Sequence, residues 1–100
     1  QPPESYVASL FGEVNVVPRR WFDLKSPLEK EVILYPNELD ISGSKGIEAV
    51  VQRSYYKGHT YLVELRCEDQ QVFVENAEGV SPNTRVYLSL RTEQTLALRR

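Results

Sequence analysis

One hundred residues suffice for one domain with a modest core, and 41% hydrophobic content alongside 26% charged residues excludes a disordered acidic tail and a membrane-embedded chain. Twelve Lys and Arg against fourteen Asp and Glu leave a net charge of -2 and a pI near 5.4, which argues against electrostatic steering toward nucleic acid. The single Cys67 cannot form an internal disulfide, and no basic-then-apolar leader is present, so a reducing, cytoplasmic setting is expected. The sequence contains no Met and opens Gln1-Pro2-Pro3, so a fragment of a longer polypeptide is expected.

In chain order, residues 5–11 place Tyr6 and Val7 at i+3 and i+4 spacings from Leu10 and Phe11, with Ser5 as N-cap and Gly12 as the stop. One short N-terminal helix is predicted there. Residues 13–17 alternate and end at Pro18, as an edge strand does. Residues 19–30 mix charge, aromatic and proline and are read as a loop holding a short strand at 21–24, with Trp21 as a packed anchor. Glu31 to Leu34 restores strand composition, and Pro36 and Asn37 break it before a brief strand over 39–42.

Beyond the turn cluster at 43–46 the pattern sharpens. Ile47, Ala49 and Val51 alternate with Glu48, Val50 and Gln52 in a strand reaching Ser54 or Tyr56, and Gly58 supplies positive φ for a hairpin turn. Tyr61, Val63, Leu65 and Cys67 face one way and Leu62, Glu64 and Arg66 the other. A second hairpin turn at 68–70 leads into a strand over 71–75, which completes a meander. Residues 76–83 are a loop, residues 84–90 a strand, and Leu96 with Leu98 form a last apolar pair that closes the structure. The predicted fold is all-β, a small OB-fold-like barrel of short antiparallel strands with the one N-terminal helix.

The chemical inventory is thin. His59 and Cys67 lie far from any second Cys or His at zinc-ligand spacing, so no metal site is expected. Cys67 shares a face with Val63 and Leu65 and reads as a buried hydrophobe. No phosphate loop and no dinucleotide fingerprint occur, so catalytic, cofactor and metal residues are all predicted to be none. Arg53, Tyr55, Tyr56, Lys57, His59 and Tyr61 gather aromatic and basic groups around one hairpin. Base stacking by a free-standing OB-type binder of single-stranded nucleic acid is one use of such a cluster. Cross-strand packing is the alternative, and the acidic chain favours it.

Residues 6–15 (YVASLFGEVN) resemble the junction after the ATPase core of importer-type ABC transporter ATP-binding subunits, whose pattern is F-V-A-x-F-x-G-x-x-N with a proline a few residues earlier. Gly12-x-x-Asn15 is intact, Pro2 or Pro3 supplies the proline, and the spacing before the glycine is shifted by one. Residues 32–41 (VILYPNELDI) are similar to the family form L-R-P-E-x-I, keeping Pro36 while Tyr35 and Asn37 stand where Arg and Glu belong. Residues 55–65 resemble the hairpin of the TOBE domain, with Gly58 as its glycine.

The resemblance implies a junction over residues 1–12 and a TOBE, OB-like accessory domain over 13–100, following an ATPase domain that binds ATP and Mg. It implies the cytoplasmic, membrane-peripheral part of a solute importer, with permease subunits as partners, and a homodimer that the domain supports or regulates. Trp21, Phe22, Tyr35, Tyr55 and Tyr56 are the candidate interface, since aromatic residues are enriched at interface cores. Related molybdate-binding modules hold their oxyanion near an S-A-R-N-type segment. Residues 9–15 lack that segment, and Glu13 adds negative charge, so oxyanion binding is not expected.

Overall fold

The structure is a computed structural model and describes residues 14–98. Seven strands dominate it, which bears out the all-β reading. Strand β1 (Asn15–Pro18) pairs antiparallel with β2 (Glu31–Leu34), Asn15 opposite Leu34 and Pro18 opposite Glu31. Five further strands, β3 (Leu39–Ser42), β4 (Ile47–Tyr56), β5 (Tyr61–Cys67), β6 (Gln70–Asn76) and β7 (Arg85–Leu90), form an antiparallel sheet of order β3-β7-β4-β5-β6. The predicted helix over 5–11 and the junction over 1–12 lie outside the described residues.

Alternation along β5 sends Val63, Leu65 and Cys67 inward, and Val74 and Val72 of β6 lie in register with Val63 and Leu65. Val51, Val86 and Leu88 extend this core across the sheet, and Val17, Val32 and Leu34 cover it from the smaller one. The five-stranded sheet curls until its edge strands β3 and β6 touch, the curvature expected of an OB-like shell. A bulge between Val51 and Arg53 adds to it, because one extra residue bends the strand and increases its twist.

Gly46 shows how tightly β4 enters the sheet. Its φ is 124°, and a Cβ there would stand 2.0 Å from the carbonyl oxygen of Leu88. Only glycine permits that approach.

Two expected elements differ. The segment at 21–24 is not a strand: Arg19–Trp21 forms a 3-10 turn, because the N–H groups of Phe22 and Asp23 both donate to the Arg19 carbonyl at 3.0 Å. Leu96 and Leu98 do not close the structure as a strand. Gln94–Ala97 forms a single helical turn, α1, opened by the Thr95 N–H donating to the Thr92 carbonyl at 3.3 Å. Leu96 is consequently buried while Leu98 is 82% exposed, since residues two apart share a face in a strand and not in a helix.

Candidate functional site

Asn15 is 2% exposed and joins the two sheets. Its Nδ2 donates to the Phe73 carbonyl at 2.8 Å, and its Oδ1 accepts from the Phe73 N–H at 2.8 Å. The amide thus mimics a peptide group and extends the ladder of β6 toward β1. Gln70 adds a parallel tie, donating from Nε2 to the Val16 carbonyl at 2.6 Å. An Asp at position 15 could accept but not donate, so the residue type follows from the pairing. Gly12, its motif partner, lies outside the described residues.

Pro36 begins a 3-10 turn, Pro36–Glu38, where its missing N–H costs nothing. The Glu38 carboxylate accepts from the Tyr35 N–H at 2.9 Å, while the Glu38 N–H donates to the Tyr35 carbonyl at 2.9 Å. The family comparison puts Asn37, not Glu38, at the position of the family glutamate, so it gives no sign of Glu38. The signal was present as a glutamate three residues after Tyr35, the spacing of a capping box. Arg91 locks the same turn through its N–H on the Glu38 carbonyl at 2.9 Å and its Nη2 on the Glu75 carbonyl at 2.8 Å.

Gly58 sits in the β4–β5 turn with φ of 101°, closed by the Lys57 N–H on the Thr60 carbonyl at 2.8 Å. The aromatic cluster around this hairpin divides between two faces. Tyr56 and Tyr61 are directly opposite in register and their rings pack at 5.1 Å, the cross-strand pair. The Tyr56 hydroxyl donates to the Gly58 carbonyl. The bulge sends Arg53 and Tyr55 to the outer face, opposite Glu64 and Leu62.

Glu64 is 5% exposed on that outer face. Its Oε1 accepts from the Tyr55 hydroxyl at 2.9 Å and lies 3.6 Å from Arg53 Nε. Its Oε2 accepts from Gln71 Nε2 at 2.7 Å and, with the Gln52 amide turned to suit both neighbours, from Gln52 at 3.0 Å. In the same orientation Gln52 accepts from Arg66 Nε at 3.2 Å. The bond to Glu64, followed by desolvation, raises the Tyr55 pKa above its ordinary value. A carboxylate buried at a sheet surface is tolerable because both oxygens are satisfied. Strand alternation alone reads Glu64 as solvent-exposed, and its partners become visible only once the bulge sets the register.

Trp21 and Phe22 lie at the other end of β5. Trp21 is 8% exposed within the core and meets Phe22 edge-to-face at 6.4 Å. Its Nε1 donates to Glu68 Oε1 at 3.0 Å, and Arg20 Nη2 donates to the same oxygen at 2.8 Å. The Arg20 bond first, then that of Trp21, holds the Glu68 carboxyl below its usual pKa. Of the five aromatics named as an interface, Trp21 and Phe22 therefore stand apart from Tyr55 and Tyr56. Tyr55 and Tyr56 stand by the start of β5, and Trp21 is bonded to the turn after its end.

Cys67 is fully buried and its thiol reaches the Glu48 carbonyl at 3.5 Å. Desolvation, with the Glu68 charge second, pushes its pKa up to about 11. Among the described residues, no three His, Cys, Asp or Glu stand close enough to hold a metal, and no helix is long and apolar enough to cross a membrane.

A curved antiparallel shell of short strands defines a small all-β domain of the OB-like class. The family model of the TOBE domain matches residues 32–98, and the chain belongs to that family. Pro36 and Gly58 fall within the match, whereas Asn15 and Trp21 precede it. Membership carries a non-catalytic accessory role. No curated protein matches the chain, and neither does any solved structure.

Proposed function

We infer that this domain is the accessory and regulatory part of the ATP-binding subunit of an ABC importer, where it supports subunit dimerisation or tunes ATP-driven solute uptake. Membership in the TOBE family is the observation that carries this reading. The Gly12-x-x-Asn15 motif supports it from outside the matched residues, since Asn15 performs a specific joining task. ATP and Mg belong to a preceding ATPase domain, and permease subunits to the assembled complex. The subunit works on the cytoplasmic face of the membrane.

Reading the genomic frame upstream of Gln1 tests the assignment. The expected result is a G-x-x-x-x-G-K-[ST] phosphate loop followed by an ABC signature. An unrelated upstream domain, or a start codon immediately before Gln1, overturns it. The nucleic-acid alternative predicts salt-dependent binding of single strands. The division of the tyrosines between a cross-strand ring pair and a bond to Glu64 supports packing instead.

A further inference from the structure

The bulge in β4 opens a groove of about 360 Å³ lined by Val50, Val51, Gln52, Arg53, Arg66 and Asn83. Its walls are fixed by the backbone: the Asn83 N–H donates to the Val51 carbonyl at 2.7 Å, and the Val51 N–H donates to the Thr84 carbonyl at 2.9 Å. Two guanidinium groups line it, and no carboxylate does. Arg53 reaches toward Glu64 only at 3.6 Å and stays 63% exposed, while Glu64 is already satisfied by Tyr55, Gln71 and Gln52. Arg66 is exposed and engages Gln52 through Nε. Among the described residues no acid lies within ion-pair distance of Arg66. Its terminal nitrogens are left for a ligand, held in a planar fork that matches a carboxylate.

We propose that this groove binds a small monocarboxylate on a short apolar stem. Arg66 takes the carboxylate through its fork, Arg53 supplies the second positive charge, the Asn83 amide donates a further bond, and the exposed Val50 side chain covers the stem, while Val51 lines the groove by its backbone alone. One apolar side chain among convergent polar groups suits a short stem with a charged head. Glu64, beside Arg53, sets the charge of the ligand, because a phosphate dianion brings two negative charges toward a buried carboxylate whereas a monocarboxylate brings one. The site stands whether or not the importer assignment does.

The test is a titration of the ¹⁵N-labelled 100-residue chain with sodium butyrate, followed by amide chemical shifts against equal concentrations of sodium chloride and sodium phosphate. Saturable shifts centred on Val50, Val51, Gln52, Arg53, Arg66 and Asn83 are expected with butyrate, together with about tenfold weaker binding by Arg66→Gln, the loss of one charge-assisted contact. Arg66→Lys keeps the charge and loses the fork, and it also weakens binding. If Arg66→Gln loses the dispersed spectrum of a folded chain, Arg66→Lys and Arg53→Gln decide the matter. A linear, unsaturable response, equal shifts from chloride or phosphate, or unchanged butyrate affinity in the folded variants overturns the proposal.

Discussion

Asn15 commits both ends of its amide to Phe73, 58 residues away, so its side chain replaces a missing stretch of ladder between the two sheets. Asn15→Asp keeps the size and turns the donor into a second acceptor aimed at a carbonyl. The cost of such a buried mismatch is about 1–3 kcal/mol, read as a lower urea midpoint with unchanged slope. Glu68 gives a pH-dependent counterpart. Its carboxyl is held below the usual range by Arg20 and Trp21, so its stabilising contribution is present above the unfolded-state pKa and fades as pH falls through the folded value. Exposure keeps the energy small, but the bonded partner Trp21 is the sole tryptophan. Its fluorescence should titrate with a midpoint below that of an ordinary glutamate, and Glu68→Gln should abolish the transition. At Cys67 the shift runs the other way: the raised pKa keeps the thiol protonated, and the fold loses stability only as pH climbs from the ordinary cysteine value toward about 11. Ellman's reagent at pH 8 should react with Cys67 at the rate of unfolding and not before. The buried, inert character of Cys67 was legible in its alternating company. The partners of Asn15 and Glu68 were not, because neither contact is local in sequence.

Strand periodicity located the elements well wherever a hairpin joined them. The meander of β4, β5 and β6 and the brief strand β3 are readable because each has one buried face and is bounded by turn residues. What periodicity conceals is the bulge, since an extra residue in β4 reverses the faces of everything after it. Arg53 and Tyr55 thereby join Glu64 on the outer face, and a cluster read as one aromatic patch becomes two separate arrangements. The C-terminal pair Leu96 and Leu98 was misread for a related reason: two apolar residues fit a strand or a helical turn, and the Thr92–Thr95 contacts decide for the turn. Element entry is most constrained at Gly46. Gly46→Ala adds a methyl where Leu88 already lies and demands a positive φ, so destabilisation of about 2 kcal/mol or more is expected in urea unfolding. Gly58→Ala meets no neighbour, bears only the conformational penalty, and should cost less.

Taken whole, the molecule ties its joints with polar groups: buried Asn15 between the sheets, half-buried Ser54 against the Val80 backbone at 2.8 and 2.9 Å, and exposed Arg91 between β6 and the Pro36 turn. These bonds fasten the smaller sheet, the segment after β6 and the Pro36 turn to the five-stranded sheet. Composition and motif content showed only a thin chemical inventory, and the accessory reading came from the family resemblance. The most direct measurement takes the product of the whole reading frame and compares its ATP hydrolysis, across protein concentrations, with and without residues 14–98. An accessory domain that supports dimerisation predicts hydrolysis in both proteins, with the truncated form needing a higher concentration to reach the same specific activity. No hydrolysis by the intact product, or identical concentration dependence after the deletion, contradicts that role.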